Sequence, residues 1–205
     1  MQGFMIRPKS ARIAYDSREP RSVFVAIEGL DGCGKSTVAR LLARRIQAFY
    51  YPTPPPLYRK IRHAVDGSHS RVEHFHFYVA ALIRASREIE MLLEQGPVVA
   101  DRYLASTAAY HAPWLNGDLR VLDGLPIIAP NATVLLLAEE NERLARLQSR
   151  DGTAADSWYD TLSQREATLQ VFRRFATVEV DTTNKTVPEV VRVITHELQD
   201  RGVLR

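Results

Sequence analysis

The residues of this chain best suited to chemistry form one short run, Gly29-Leu30-Asp31-Gly32-Cys33-Gly34-Lys35-Ser36. It fits the pattern G-x-x-x-x-G-K-[ST]. Glycines there let the backbone wrap phosphate oxygens, and a helix beginning at the motif adds free N–H groups and the positive end of its dipole. Lys35 is placed to reach the β- and γ-phosphates of a nucleoside triphosphate, and the Ser36 hydroxyl to bind Mg²⁺. Gly29, Asp31, Gly32, Cys33, Gly34, Lys35, Ser36 and Thr37 are therefore the candidate nucleotide-binding residues. Cys33 reads as a small residue suited to a crowded loop rather than as a redox switch. A second acidic motif, Asp101-Arg102-Tyr103, follows an apolar run. At the carboxyl end of a parallel strand, where ligands bind, Asp101 would hold Mg²⁺ or its waters, and Arg102 would offer a bidentate fork to an acceptor phosphate. Ser106 and Tyr110 lie four apart on the helix expected next, so they share a face and line an acceptor pocket.

These groups need strands and helices to hold them. Val23 to Ile27 is a short β-branched apolar run, which predicts a buried strand ahead of the glycine-rich turn. Val38, Leu41, Leu42 and Ile46 have helical spacing within a helix predicted over 37–50. Pro52, Pro54, Pro55 and Pro56 predict a stiff extended segment. A long helix over 72–95 ends at Gly96-Pro97, and Val98 to Ala100 is a second strand ending at Asp101. Thr133 to Leu137 and Val178 to Val180 read as further strands; 140–150, 159–176 and 188–199 read as helices. Strands alternating with helices predict a parallel sheet covered on both faces. His74 and His76 flank Phe75 and, on a helix, point to different faces, so pocket lining or packing fits them better than metal binding.

The bulk properties are those of a single globular domain: 205 residues, 45% apolar and 25% charged, with a net charge of +3. No block of five or six basic residues points to nucleic acid. One cysteine excludes an internal disulfide framework and fits a reducing cytoplasm. No apolar run approaches the roughly 18 residues of a membrane span. Residues 1–21 are polar and basic and read as a flexible leader to a domain over 22–205.

Three stretches together resemble thymidylate kinases and the wider nucleotide-kinase group: Ile27-Glu28-Gly29 through Thr37, Asp101-Arg102-Tyr103 through Tyr110, and Pro130-Asn131 through Leu137. The resemblance implies a P-loop NTPase fold of α/β class. That is a three-layer αβα sandwich with a five-stranded parallel sheet and a small helical lid at about 143–157. It also implies ATP and Mg²⁺ as cofactors, a nucleoside or nucleotide substrate, and a homodimer. By the same resemblance Asp31 reaches toward the acceptor sugar. Phe77 belongs to the acceptor site, and Thr182-Thr183-Asn184-Lys185 to an adenine-side loop. Arg143, Arg146 and Arg150 fall at i, i+3 and i+7 on one helical face. Arg150 is then the transition-state clamp and Arg146 packs near adenine, with Lys35, Asp101, Arg102 and Arg150 the catalytic set.

Two departures from the family concern the acceptor. The family carries an arginine in an Arg-Glu-Pro-Gly-like segment, where this chain reads Tyr51-Pro52-Thr53-Pro54-Pro55-Pro56 with no arginine before Arg59. It also places an arginine after a Phe-Tyr-Ala-Ala-like stretch, where this chain has Ala81; Arg84, one turn on and about 5 Å along the axis, is the candidate substitute. Three readings follow: phosphorylation of a nucleoside monophosphate with thymidine monophosphate as default acceptor, phosphorylation of a nucleoside hydroxyl with Glu28 or Asp101 as base, or ATP binding without acceptor chemistry.

Overall fold

A computed structural model describes residues 22–68, 70–149 and 162–205. The expected leader, Arg150 and the rest of the expected lid to residue 157 lie outside the described residues. Five parallel strands form one sheet in the order β2-β3-β1-β4-β5: β1 Phe24–Glu28, β2 Phe49–Pro52, β3 Val98–Asp101, β4 Ala132–Leu137 and β5 Val178–Asp181. Strands β1 and β3 are buried along their whole length, as their apolar runs require, and each ends in a buried acidic residue, Glu28 or Asp101. Side chains of β1 alternate between two cores. Val25 and Ile27 join Val38 and Leu42 of α1 (Lys35–Arg45) and Ile194 and Leu198 of α8 (Val187–Asp200). Phe24 and Ala26 join Leu82 and Ile89 of α4 (Arg71–Leu93) and Leu104 and Ala108 of α5 (Leu104–His111). The helices α6 (Glu140–Gln148) and α7 (Leu162–Phe175) complete the second half of the chain.

The first helix is shorter than its apolar spacing predicts. It stops at Arg45, and Gln47, in the left-handed region at φ 53°, turns the chain into β2. Phe49 to Tyr51 are aromatic residues suited to a half-buried edge strand, and they pair with β3 instead of extending the helix. The proline segment is extended only up to Pro55. Pro56 opens the short helix α2 (Pro56–Arg59), where a missing N–H costs nothing, and α3 (Arg62–Asp66) follows. These short helices bring Arg62 and Asp66 beside α4.

Candidate active site

The phosphate loop sits between the carboxyl end of β1 and the start of α1, with three glycines at positive φ: Gly29 at 139°, Gly32 at 89° and Gly34 at 87°. Two of them also lack room for a side chain. A Cβ on Gly29 would lie 2.4 Å from the Leu136 carbonyl oxygen, and one on Gly32 would lie 2.6 Å from the Arg143 carbonyl oxygen. Lys35 is almost wholly buried, and its Nζ donates to the Leu30 carbonyl at 2.7 Å and lies 3.6 Å from Asp31 Oδ1. Burial pulls the Lys35 ammonium pKa down, Arg102 adds to this, and Asp31 pushes back. Cys33 is buried inside the loop, which pushes its thiol pKa up and keeps it a thiol.

Helix α6 clamps this loop from outside. Arg143 is buried, donates to the Asp31 carbonyl at 2.8 Å, and grips Glu140 with Nε and Nη2 at 2.9 and 3.0 Å. Arg146, three residues on, donates to the Thr182 hydroxyl at 3.0 Å and to its carbonyl at 3.1 Å. The Thr182 hydroxyl in turn lies 3.4 Å from the Cys33 carbonyl. The phosphate loop, α6 and the loop after β5 therefore meet around the expected adenine side.

The acidic motif is held by a residue whose role the sequence did not disclose. Glu28, the last residue of β1, is fully buried and accepts from the backbone N–H of Tyr103 at 2.8 Å, from that of Ser106 at 3.2 Å, and from the Ser106 hydroxyl. Tyr103 is the N-cap of α5 and has no capping side chain of its own, so Glu28 caps this helix from a different element. Burial raises the Glu28 carboxyl pKa, and its hydrogen bonds and Arg102 work against that rise. The chain then turns through Arg102 at φ 70°, a left-handed conformation costing about 1 kcal/mol. That turn aims the guanidinium at Asp31, to which Nη2 donates, and at the Ser106 hydroxyl, 3.2 Å from Nη1. The ring of Tyr110 lies beneath it, 5.5 Å from ring centroid to guanidinium carbon. Burial works against the charge on Asp31, yet Arg102 and Lys35 hold its carboxyl well below the usual carboxylate range.

Asp101 is buried too. Its Oδ2 accepts from Tyr50 at 3.0 Å, while Oδ1 has no hydrogen-bond partner among the described residues. Burial and then the Asp101 carboxylate push the Tyr50 phenol up to about 12, so Tyr50 stays a donor. A buried carboxylate oxygen without a donor is an energetic liability unless a cation takes it, which fits Asp101 to a metal-holding role.

Beyond Arg102 a cavity opens, lined by Asp31, Thr53 and Ser106 and by Arg62, Asp66, His74, Tyr78, Ala81, His111 and Trp114. His74, Tyr78 and Ala81 fall at i, i+4 and i+7 and so share one face of α4. Neither Phe77 nor Arg84 lines this cavity. Phe77 packs edge-on against Tyr58 at 5.4 Å, and Arg84 is exposed and paired with Glu88, which also accepts from Tyr51. His111 is 2% exposed, and its Nδ1 lies 2.7 Å from the Thr107 carbonyl. Since a carbonyl only accepts, Nδ1 carries the hydrogen and Nε2 is a bare acceptor facing His74 Nδ1 at 2.9 Å. Burial pushes His111 from 6.5 down to about 4. Asp66 lies against Arg62 at 2.8 Å, Tyr78 at 2.9 Å and His74 Nε2 at 3.4 Å; against burial, His74 and then Arg62 hold it down to about 2.

The depressed His111 pKa has a stability consequence. Between pH 6.5 and 4 the unfolded chain binds the proton that folded His111 refuses, so stability is full above pH 6.5 and is lost as pH falls, by up to about 3 kcal/mol. Unfolding midpoints measured across that range are expected to fall with acidity, and His111→Phe is expected to lose most of that slope. An equal slope in the variant would contradict a buried neutral His111.

The sequence of residues 27–194 matches the thymidylate kinase family model. A probable thymidylate kinase of Methanococcus maripaludis is 27% identical over 192 residues, covering 87% of this chain and 96% of that one. The thymidylate kinase of Coprothermobacter proteolyticus is 32% identical over 155 residues, covering 65% and 76%. Among solved structures, a Candida albicans thymidylate kinase superposes with a TM-score of 0.69 at 20% identity, covering 89% of this chain and 93% of that one. A deoxyadenosine kinase of M. mycoides superposes at 0.60 and 14% identity, covering 87% and 100%.

Proposed function

This chain belongs to the thymidylate kinase family, and we propose that it transfers the γ-phosphoryl group of ATP to a nucleoside monophosphate, with thymidine monophosphate as acceptor. One observation carries this reading from the geometry. The acceptor cavity begins at Arg102 and Asp31, and Asp31 also lies beside Lys35, so the phosphate cradle and the acceptor cavity meet at one carboxylate. In this reading the donor's β- and γ-phosphates lie on the loop N–H groups and Lys35, and the acceptor phosphate lies against Arg102. The attacking oxygen of a phosphate is already anionic, so no strong base is needed, and catalysis rests on alignment and charge neutralisation. Asp101 and Ser36 would hold Mg²⁺, which when bound neutralises phosphate charge. Arg146 supports the adenine side, and Arg150 remains the proposed transition-state clamp.

No helix among the described residues is long and apolar enough to cross a membrane. We read the enzyme as a cytoplasmic homodimer acting on free nucleotides rather than on nucleic acid; the single cysteine and the family resemblance support this. ADP release from the full chain with Mg-ATP tests the central claim. Turnover is expected with thymidine monophosphate, and turnover with thymidine but not with its monophosphate would sink it.

A further inference from the structure

We infer that this enzyme selects its acceptor by the phosphate and by ring shape, and is largely indifferent to the hydrogen-bonding pattern of the base. The inference rests on the reading of the cavity as an acceptor site. With the acceptor phosphate at Arg102, the sugar and base occupy the rest of this cavity, against residues of α3, α4 and α5.

A site rejects the wrong base strongly only when its buried donors and acceptors stand unpaired until the right base arrives. Here Arg62, Asp66, His74, Tyr78 and His111 lie against one another. His74 has one ring nitrogen on His111 and the other facing Asp66. His111 is closed off by Thr107, and Asp66 is surrounded by Arg62, Tyr78 and His74. Hydrogen bonds run from the Thr107 carbonyl through His111 to His74, and His74 Nε2 ends 3.4 Å from the Asp66 carboxylate. What the wall adds beyond this network is aromatic surface: Trp114 packs edge-on against His74 at 5.0 Å and against His111 at 5.2 Å, and Tyr78 lies 4.7 Å from His74. Aromatic faces hold any base, because each base has a π-face.

Ala81 also bears on base recognition. It contributes only a methyl group to the cavity wall, on the same helical face as His74 and Tyr78. Arg84, the nearest arginine of α4 in that direction, is exposed and held by Glu88. Among the described residues, the α4 residues that line the cavity therefore include no forked donor, and Arg62 of α3, which also lines it, is turned to Asp66 through Nε.

Deoxyuridine and deoxycytidine monophosphates provide the cleanest test, since their bases have the same outline and opposite hydrogen-bonding edges. With the full chain and saturating Mg-ATP, their kcat/KM values are expected to lie within about 10-fold of each other. A site that bonds to the base edge would separate them by roughly 10⁴-fold, and one that senses only shape by less than about 200-fold. A ratio above that second figure overturns the inference. Ala81→Arg is expected to widen the ratio at least about 10-fold with the KM for ATP unchanged; an unchanged ratio in a variant that retains the wild-type unfolding midpoint also overturns it. A strict preference for one monophosphate removes this inference alone. Phosphorylation of nucleosides but of no monophosphate removes the proposed function as well.

Discussion

Replacing Lys35 with methionine is expected to lower kcat with thymidine monophosphate by about 10²–10³-fold while leaving the fold in place. Lys35 is 5% exposed, so its stem is part of the packing at the head of α1, and methionine keeps most of that stem. What is lost is the ammonium group, which the Leu30 carbonyl and Asp31 already hold inside the loop before any phosphate is bound. A pre-positioned charge in a buried site acts on a developing phosphate charge without reorganisation, which is why its loss registers in kcat rather than in substrate affinity alone. Steady-state kinetics with both substrates saturating check this, alongside circular dichroism to confirm folding. A kcat within about threefold of wild type would mean that the loop does not hold the transferred phosphate.

Gly29→Ala is expected to destabilise the protein by about 3 kcal/mol or more, a drop of roughly 10 °C in unfolding midpoint for a chain of this size. Two penalties coincide at this position. Its φ of 139° is open to glycine and closed to other residues, and the added Cβ would sit 2.4 Å from the Leu136 carbonyl oxygen. That carbonyl belongs to β4, which is hydrogen-bonded on one side to β1 and on the other to β5, so it cannot retreat. Gly34→Ala serves as the control. Gly34 has φ 87° but nothing within 4 Å of a built Cβ, so only the conformational penalty of about 1–2 kcal/mol applies. Equal losses in the two variants would show that the contact with β4 is not what constrains Gly29.

The donor half of the site was legible in the sequence because it is local. Gly29 to Thr37 are consecutive, and the strand before them and helix after them carry their own periodicity. Asp101 and Arg102 were legible for the same reason, as the end of an apolar run. The acceptor half depends on side chains brought together from far apart. Asp66, His74 and His111 come from three helices, and nothing in the spacing of α3 and α5 announces that they meet. Arg84 shows the limit of helical arithmetic. Three residues beyond Ala81, it lies on roughly the same side of α4, but the offset is enough to carry it out of the cavity and into a pair with Glu88. Glu28 was legible as acidic and placed, but its part in capping α5 follows from a contact 75 residues away in sequence. Strand β2 was obscured because the apolar spacing of α1 runs on through Ile46, and a single left-handed residue, Gln47, breaks the helix without a glycine or proline to mark the break.

Asp31 stands between two cations, Lys35 and Arg102, which the proposed function assigns to opposite substrates, donor and acceptor. A single negative charge cannot serve both fully. A triphosphate that draws Lys35 away leaves Asp31 wholly to Arg102, and an acceptor phosphate that draws Arg102 away leaves it wholly to Lys35. Each ligand thus alters the electrostatic tension under which the other must bind, and thermodynamic reciprocity requires the two effects to be equal in free energy. On the proposed reading the two half-sites share a counter-ion, and through it the occupancy of one would be registered by the other.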